Sequence, residues 1–173
     1  MDTTKAFLSH WYALYTKPRH EIKVALQIEE QGIEVYLPTI ETVKKWGNRR
    51  KKIIEPLIRG YVFIHSLDSE RKTLLKLPSI INTVCFNGKP AIIPDWQIEN
   101  FKIILSQTGE VCLTDSLPKG SKVKILTGAF AGVQGVVSEK NKDKWISVSI
   151  DLLKRSVEVK LPVDSITKII NDK

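Results

Sequence analysis

Residues 119–137 read Lys119-Gly120-Ser121-Lys122-Val123-Lys124-Ile125-Leu126-Thr127-Gly128-Ala129-Phe130-Ala131-Gly132-Val133-Gln134-Gly135-Val136-Val137. Two strand-like runs are joined here by a segment punctuated by Gly128, Gly132 and Gly135. Glycine suits a turn in which the backbone takes a positive φ, or in which a second backbone comes too close for a Cβ atom. The stretch therefore predicts a strand, a tight glycine-dependent turn and a second strand.

The C-terminal third of the chain continues in the same manner. Five short runs have the character of strands: 122–126, 135–139, 145–150, 156–161 and 165–169. Five short strands with tight connections in fewer than 60 residues predict a small closed barrel, because closure removes the exposed sheet edges.

Upstream, strand-like and helix-like patterns alternate. A strand is predicted at 10–15, followed by a helix over 19–31. The apolar stripe of this helix is predicted to contain Ile22, Ala25 and Leu26 and, less regularly, Val24 and Ile28. Further strands are predicted at 35–43, 53–57, 60–65, 80–86 and 91–93, and helices at 69–77 and 94–105. This order predicts an α+β domain in which helices flank an antiparallel sheet.

The boundary between the two regions is predicted at residues 114–120, which contain Ser, Pro and Gly and lack periodic apolar residues. The sequence thus divides into a domain over 1–113, a linker over 114–120 and a barrel domain over 121–173.

The chain of 173 residues has a net charge of +8, and six of its basic residues fall within 44–52. Basic proteins commonly bind nucleic acid, although ordinary solubility also accounts for a positive charge. The 44–52 segment lies between two predicted strands and contains Trp46 and a Gly47-Asn48 turn. It therefore predicts a solvent-exposed basic hairpin.

Other classes of protein are disfavoured by the residue inventory. No run approaches the roughly 20 apolar residues of a membrane span, and no secretory pattern is present, so we expect a cytoplasmic protein. Cys85 and Cys112 lack metal-ligand spacing and are expected to be reduced and structural. The three histidines have no nucleophile at a suggestive spacing, and no phosphate-binding loop is present. We expect no enzyme activity, metal or cofactor.

Several segments carry a family resemblance. Residues 119–137, with 147–150 and 157–159, resemble the KOW motif of small SH3-like barrels in transcription and translation proteins. Segments 11–17, 36–38 and 56–63 resemble the N-terminal (NGN) domain of the NusG family in order and approximate spacing. The Leu-Tyr-x-Lys strand end and the Glu-Pro-Leu segment look closer to specialised paralogues, such as RfaH and the regulators of capsular polysaccharide operons in Bacteroides.

This resemblance implies a monomeric factor that binds the β′ clamp helices of bacterial RNA polymerase, with the β subunit as a further contact, and suppresses pausing. The residues that match the docking surface are Tyr15, Ile58, Tyr61, Phe63 and Phe86. Alternation along a half-buried strand places Tyr61 and Phe63 on one face, and we expect that pair to be exposed for docking. Arg59 differs from the proline or similar residue that is common at this position in the family.

The resemblance also implies contact with non-template or upstream DNA, or with nascent RNA. The matching residues are Lys17, Arg19 and Lys23, and the basic hairpin adds phosphate contacts and one stacking platform through Trp46, Arg49, Arg50, Lys51 and Lys52. A hairpin that is merely solvated is the alternative.

In the barrel, Leu152, Leu153, Lys154 and Arg155 correspond to the loop through which family barrels contact a small-subunit ribosomal protein or Rho. This loop lacks the usual Phe-Gly. A KOW-containing RNA-binding or ribosome-associated protein is the alternative function, and it would not require an aromatic docking surface.

Overall fold

The computed structural model describes residues 8–47, 49–107, 111–114, 120–140, 142–162, 165 and 167–170. The chain forms two compact units, Met1–Pro94 and Asp95–Lys173. This division lies upstream of the linker expected at 114–120, because a helix and a strand that the sequence assigned to the first domain belong to the second unit. Residues 115–119 of that linker lie outside the described residues.

The first unit contains two helices and nine strands among its described residues. They are β1 His10–Thr16, α1 Glu21–Glu29, β2 Glu34–Tyr36, β3 Thr39–Trp46, β4 Arg49–Pro56, β5 Tyr61–Ser66, α2 Asp68–Leu74, β6 Ile80–Thr83, β7 Cys85–Phe86, β8 Lys89–Pro90 and β9 Ile92–Ile93. Four strands form an antiparallel sheet in the order β2-β5-β1-β6, and β9 also pairs with β1. The expected α+β architecture is confirmed.

Helix α1 covers one face of this sheet with part of the expected stripe. Its buried positions are Glu21, Val24, Ala25 and Ile28, which follow the spacing of a single helix face. Ile22 and Leu26, which the sequence placed in the stripe, are exposed. The core between helices and sheet contains Tyr12, Leu14, Val24, Ala25, Ile28, Val62, Ile64, Leu74 and Ile80.

Within the described residues, strands β3 and β4 pair only with each other, and they form a two-stranded hairpin. The basic residues lie within these strands rather than in a loop between them, because the ladder runs without a break from Thr39↔Pro56 to Trp46↔Arg49. The predicted hairpin is confirmed, and its strands are longer than expected.

The second unit begins with helix α3, Asp95–Ser106. Its strands are β10 Val111–Thr114, β11 Ser121–Ile125, β12 Gln134–Lys140, β13 Asp143–Ile150, β14 Arg155–Lys160 and β15 Thr167–Ile169. They form one sheet in the order β10-β14-β13-β12-β11-β15. The five expected strands are present, and β10 is an additional strand that the sequence did not predict. The expected closed barrel is not formed by the described pairings, because none of them joins the terminal strands β10 and β15.

Two amide side chains fasten α3 to this sheet. Asn100 donates from Nδ2 to the carbonyl of Gln134 at 2.6 Å and accepts from the Gln134 N–H at 3.1 Å. Gln97 makes a similar pair of bonds with the backbone N–H and the carboxylate of Asp151. Both amides are buried, so α3 is an integral part of the second unit.

No helix in the described part of the chain is long and apolar enough to span a membrane.

Candidate functional site

The first unit contains a groove of about 500 Å³ between the start of α1 and the base of the basic hairpin. It is lined by Tyr15, Thr16, Pro18, Arg19, Glu21, Ile22, Lys44, Glu55, Pro56, Arg59 and Gly60. The groove therefore combines one aromatic ring, aliphatic and proline surface, three cations and two carboxylates.

The chain turns sharply where β1 enters α1, and this turn shapes one wall of the groove. Arg19 has a φ of 65°, and the helix begins at Glu21, two residues later than the sequence indicated. The buried Glu21 carboxylate accepts a hydrogen bond of 2.7 Å from the N–H of Gly60. His20 Nδ1 lies 3.0 Å from Ser79 Oγ on the other side of the turn. These bonds fix the helix start against two neighbouring segments.

The aromatic residues expected for docking separate into two groups. Tyr15 is 42% exposed and its ring centroid lies 5.4 Å from that of the half-buried Tyr61, while Phe86 is 68% exposed. Phe63 is 0% exposed and Ile58 is 1% exposed. The expectation that Tyr61 and Phe63 form an exposed pair is wrong, and Ile58 is also not a surface residue.

The reason is the position of β5 in the sheet. It lies between β2 and β1, and Val62, Phe63 and Ile64 are all buried, so both faces of the strand are covered. Alternation between a buried and an exposed face applies only to strands that are covered on one side.

The basic hairpin presents two faces of different chemistry. Because opposite residues in an antiparallel pair point to the same side, the register sorts the side chains. One face carries Ile40, Thr42, Lys44, Trp46, Arg49, Lys51, Ile53 and Glu55. The other carries Glu41, Val43, Lys45, Arg50, Lys52 and Ile54. Trp46, 75% exposed, thus shares its face with Arg49 and Lys51.

Each face contains an ion pair near its base. Lys44 Nζ binds Glu55, and Lys52 Nζ lies 2.7 Å from Glu41. The hydrogen bond from Lys44 holds the pKa of the Glu55 carboxyl below its ordinary value, and the bond to Glu41 raises the pKa of Lys52. The positive charge of the hairpin is therefore concentrated toward the turn, at Lys45, Arg49, Arg50 and Lys51.

Lys17, Arg19 and Lys23 are exposed, as a nucleic-acid contact requires. Lys17 and Arg19 lie in the turn before α1, and Lys23 lies in the first turn of the helix. All three are on the first unit, and Arg19 also lines the groove.

In the second unit, Gly128 and Gly132 have φ values of 87° and 91°. A Cβ atom on Gly135 would clash with the carbonyl oxygen of Ser147 on the neighbouring strand. The predicted requirement for glycine is confirmed. Leu152 and Leu153 are half-buried in a 3-10 turn, and Lys154 is exposed with a φ of 51° before β14 begins at Arg155.

Both cysteines are exposed rather than buried, so the expectation that they are structural is wrong. Within the described ranges, no group of three or more His, Cys, Asp or Glu residues could hold a metal ion.

Arg71 is a buried cation that the sequence did not reveal. Its guanidinium lies 2.6 Å from Asp68 Oδ1, donates to Thr83 Oγ1 at 2.9 Å and stacks 5.4 Å from the centroid of Tyr12. The i, i+3 spacing of Asp68 and Arg71 was the available signal. Arg71 therefore stabilises α2 on the sheet.

Comparison with known proteins places this architecture in a family. The family model for transcription termination factor nusG matches residues 9–102, and the KOW motif model matches residues 119–151. The match to the first model covers more than half of the chain, and the protein belongs to the NusG family. Members of this family are non-enzymatic transcription factors.

Two relatives and one solved structure illustrate what this chain is similar to. The transcription termination/antitermination protein NusG of Staphylococcus epidermidis is 27% identical, with 92% of this chain and 95% of the relative covered. The Staphylococcus carnosus protein of the same name is 28% identical with the same coverage. A solved structure described as domain interaction in Thermotoga maritima NusG is 22% identical, with a TM-score of 0.49 and coverage of 91% of this chain and 96% of that one.

Proposed function

We propose that this protein is a transcription elongation and antitermination factor that binds RNA polymerase through its first unit. The observation that carries the proposal is the exposed Tyr15 ring packed against Tyr61 beside the groove, in the unit that matches the NusG model. Large rigid rings bury much apolar area for little conformational entropy, and they are enriched among residues that dominate binding energy.

The proposed polymerase contact is the β′ clamp helices. Tyr15 and Tyr61 form the centre of the docking surface, and Phe86, at the tip of the β7–β8 hairpin, adds a third ring. Ile58 and Phe63 contribute packing within the unit instead of contact with the partner.

Nucleic acid is the proposed second partner. The hairpin carries an exposed indole among cations, which is the combination that binds single strands by stacking and phosphate contact. Lys17, Arg19 and Lys23 extend the positive surface to the start of α1. We propose that these residues contact non-template or upstream DNA at the polymerase.

The second unit is proposed to recruit another protein through residues 152–155. Lys154 projects from a left-handed turn between two half-buried leucines and β14. Because the loop lacks Phe-Gly, its partner is proposed as a component of the transcription or translation machinery, with a small-subunit ribosomal protein and Rho as the candidates to assay. The segments that resemble specialised paralogues support action on particular operons.

The test compares a double variant of the docking rings with a matched aromatic control. Tyr15→Ala with Tyr61→Ala should weaken binding to core RNA polymerase at least tenfold, since truncating central interface rings costs about 2 kcal/mol or more. Trp46→Ala removes a more exposed ring outside the docking surface and should leave binding to nucleic-acid-free polymerase unchanged. Circular dichroism and thermal melting show that each variant is folded.

Equal affinity of the double variant and the wild type would show that the docking surface is elsewhere. Pause suppression should fall in parallel with polymerase affinity in a single-round elongation assay. If the double variant lost RNA binding but kept polymerase binding, the result would favour the alternative function as an RNA-binding protein.

A further inference from the structure

A small pocket lies within the second unit, where the start of α3 meets the sheet. It is lined by Trp96 of α3, by residues of β11, β12 and β13, and by Asp151. Its volume of about 150 Å³ is smaller than the roughly 300 Å³ at which pockets begin to hold drug-sized ligands. The pocket therefore has room for one side chain or a similarly small group.

Asp151 presents a positioned carboxylate to this pocket. Gln97 Nε2 donates to its Oδ2 at 2.9 Å, and Ser149 Oγ donates to its Oδ1 at 2.6 Å. Each oxygen of an ionised carboxylate can accept a further hydrogen bond. The residue is exposed, and no lysine or arginine in the described part of the chain forms an ion pair with it. Asp151 is thus held in place, is reachable from solvent and has acceptor capacity left.

Trp96 supplies an aromatic wall to the same pocket. The residue is 44% exposed, and the aliphatic side chains of Val123 and Val136 also line the cavity. The face of an indole attracts cations, and the planar guanidinium of arginine stacks on it as well. An aromatic ring and a carboxylate on one small cavity are the groups that recognise an organic cation.

The other charges around the pocket agree with a cationic ligand. Lys122 also lines the cavity, but it already takes part in an interaction within the protein. The first turn of α3 carries Asp95, which offsets the partial positive charge of the helix start. The charge without an ionic partner is therefore the carboxylate of Asp151, which disfavours a phosphate group.

We propose that this pocket binds the guanidinium of an arginine side chain from a basic segment of a partner protein. The guanidinium stacks on Trp96 and donates to the two oxygens of Asp151, a bidentate geometry that arginine provides and the compact ammonium of lysine does not. The proposal goes beyond the proposed function, because its residues belong neither to the docking rings and basic surfaces of the first unit nor to the 152–155 loop.

The experiment is a nuclear magnetic resonance titration of the full-length protein with Nα-acetyl-arginine amide at low ionic strength. The indole N–H resonance of Trp96, identified by its loss in Trp96→Phe, should shift and saturate with a dissociation constant on the order of 1–10 mM. Nα-acetyl-citrulline amide has nearly the same shape without the charge and should bind at least fivefold more weakly. This comparison uses the wild type and does not depend on the folding of a variant.

Two variants locate the binding site on Asp151. Asp151→Asn keeps the side-chain shape, removes the charge and should weaken binding of the blocked arginine at least fivefold. Asp143→Asn is the matched control, since Asp143 lies in the same unit, pairs with Lys160 at 2.7 Å and does not line the pocket. It should leave the dissociation constant within about twofold of the wild type. The remaining amide resonances report whether each variant is folded.

Several results would overturn the proposal. They are equal binding of the arginine and citrulline compounds, equal affinity of Asp151→Asn and the wild type, and a Trp96 shift caused by inorganic phosphate but not by the blocked arginine. Nα-acetyl-lysine amide should bind more weakly than the arginine compound, and tighter binding would overturn the assignment to a guanidinium. Much tighter binding of free arginine than of the blocked form would overturn the assignment to a protein side chain. None of these results depends on whether the protein binds polymerase.

Discussion

Strand β5 and the β3–β4 hairpin lie in the same unit and have opposite environments. Three consecutive residues of β5, Val62, Phe63 and Ile64, are buried, although a half-buried strand would expose the middle one. The hairpin exposes side chains on both faces, Trp46 on one and Val43 and Ile54 on the other. In this unit, a run of charged residues therefore predicts an exposed surface more reliably than alternating apolar residues predict which side chains are buried. A run of cations cannot be buried unpaired, whereas an apolar side chain is tolerated in either environment.

The largest expected effect comes from truncating the buried aromatic residue of β5. Phe63→Ala should lower the free energy of unfolding by about 3–5 kcal/mol, through lost burial and the cavity that remains. Tyr61→Ala, on the adjacent half-buried residue, should cost clearly less. Chemical denaturation followed by circular dichroism measures both, and similar midpoints for the two variants would contradict the two-sided burial of β5.

The turn chemistry and strand pattern of the second unit could be predicted because they follow from local rules. Gly128 and Gly132 need positive φ, and Gly135 needs a close backbone approach, so their spacing encodes the turn directly. The five strands of 122–169 were recognisable from short apolar runs between turn residues.

The candidate site was less accessible to sequence reasoning. Whether Phe63 is buried depends on what covers the second face of the sheet, and the periodicity of a strand carries no information about that cover. The groove joins residues from β1, α1 and the hairpin that are distant in sequence. The division at Pro94 and Asp95 differs from the one expected at 114–120, and one contact that groups α3 with the second unit, between Asn100 and the backbone of Gln134, spans 34 residues.

The next largest effect concerns this amide, a polar residue that is buried like β5. Asn100→Ala should destabilise the second unit by about 2 kcal/mol, because the N–H and carbonyl of Gln134 lose their partner. Glu99→Ala, on the exposed side of the same helix, should change stability by less than about 0.5 kcal/mol. Differential scanning calorimetry distinguishes the two. Equal melting temperatures would show that α3 does not fasten the sheet.

A smaller effect on the free energy of unfolding is expected at Asp68. This residue forms an ion pair with the buried Arg71, whereas the arginines of the hairpin are exposed. Hydrogen bonds from Lys72 and then Arg71 hold the pKa of Asp68 below its ordinary value. A lowered pKa stabilises the fold above the ordinary Asp pKa, about 4, and that contribution is lost as the pH falls through the lowered value. Asp68→Asn should cost about 1 kcal/mol at pH 7, a reduced figure because Asp68 is partly exposed.

The difference between wild type and Asp68→Asn should shrink when unfolding is measured progressively below pH 4. Lys72→Gln removes only the exposed partner and should cost less at pH 7. A difference that is constant down to pH 2 would show that the ion pair with Arg71 does not carry the effect.

The smallest effect on folding is expected in the hairpin, where the effect on binding should be large. Arg49→Gln with Lys51→Gln neutralises the face of Trp46, and Arg50→Gln with Lys52→Gln neutralises the opposite face. Either double variant should change stability by less than about 0.5 kcal/mol, since exposed charges contribute little. The first should lower the salt slope of single-stranded DNA binding by about two, because its cations flank the stacking ring. The second should lower it less, since Lys52 is already paired with Glu41. Equal reductions of the salt slope in the two variants would mean that single-stranded DNA does not distinguish the two faces of the hairpin. Unchanged salt slopes in both variants would mean that the hairpin is only a solvated turn.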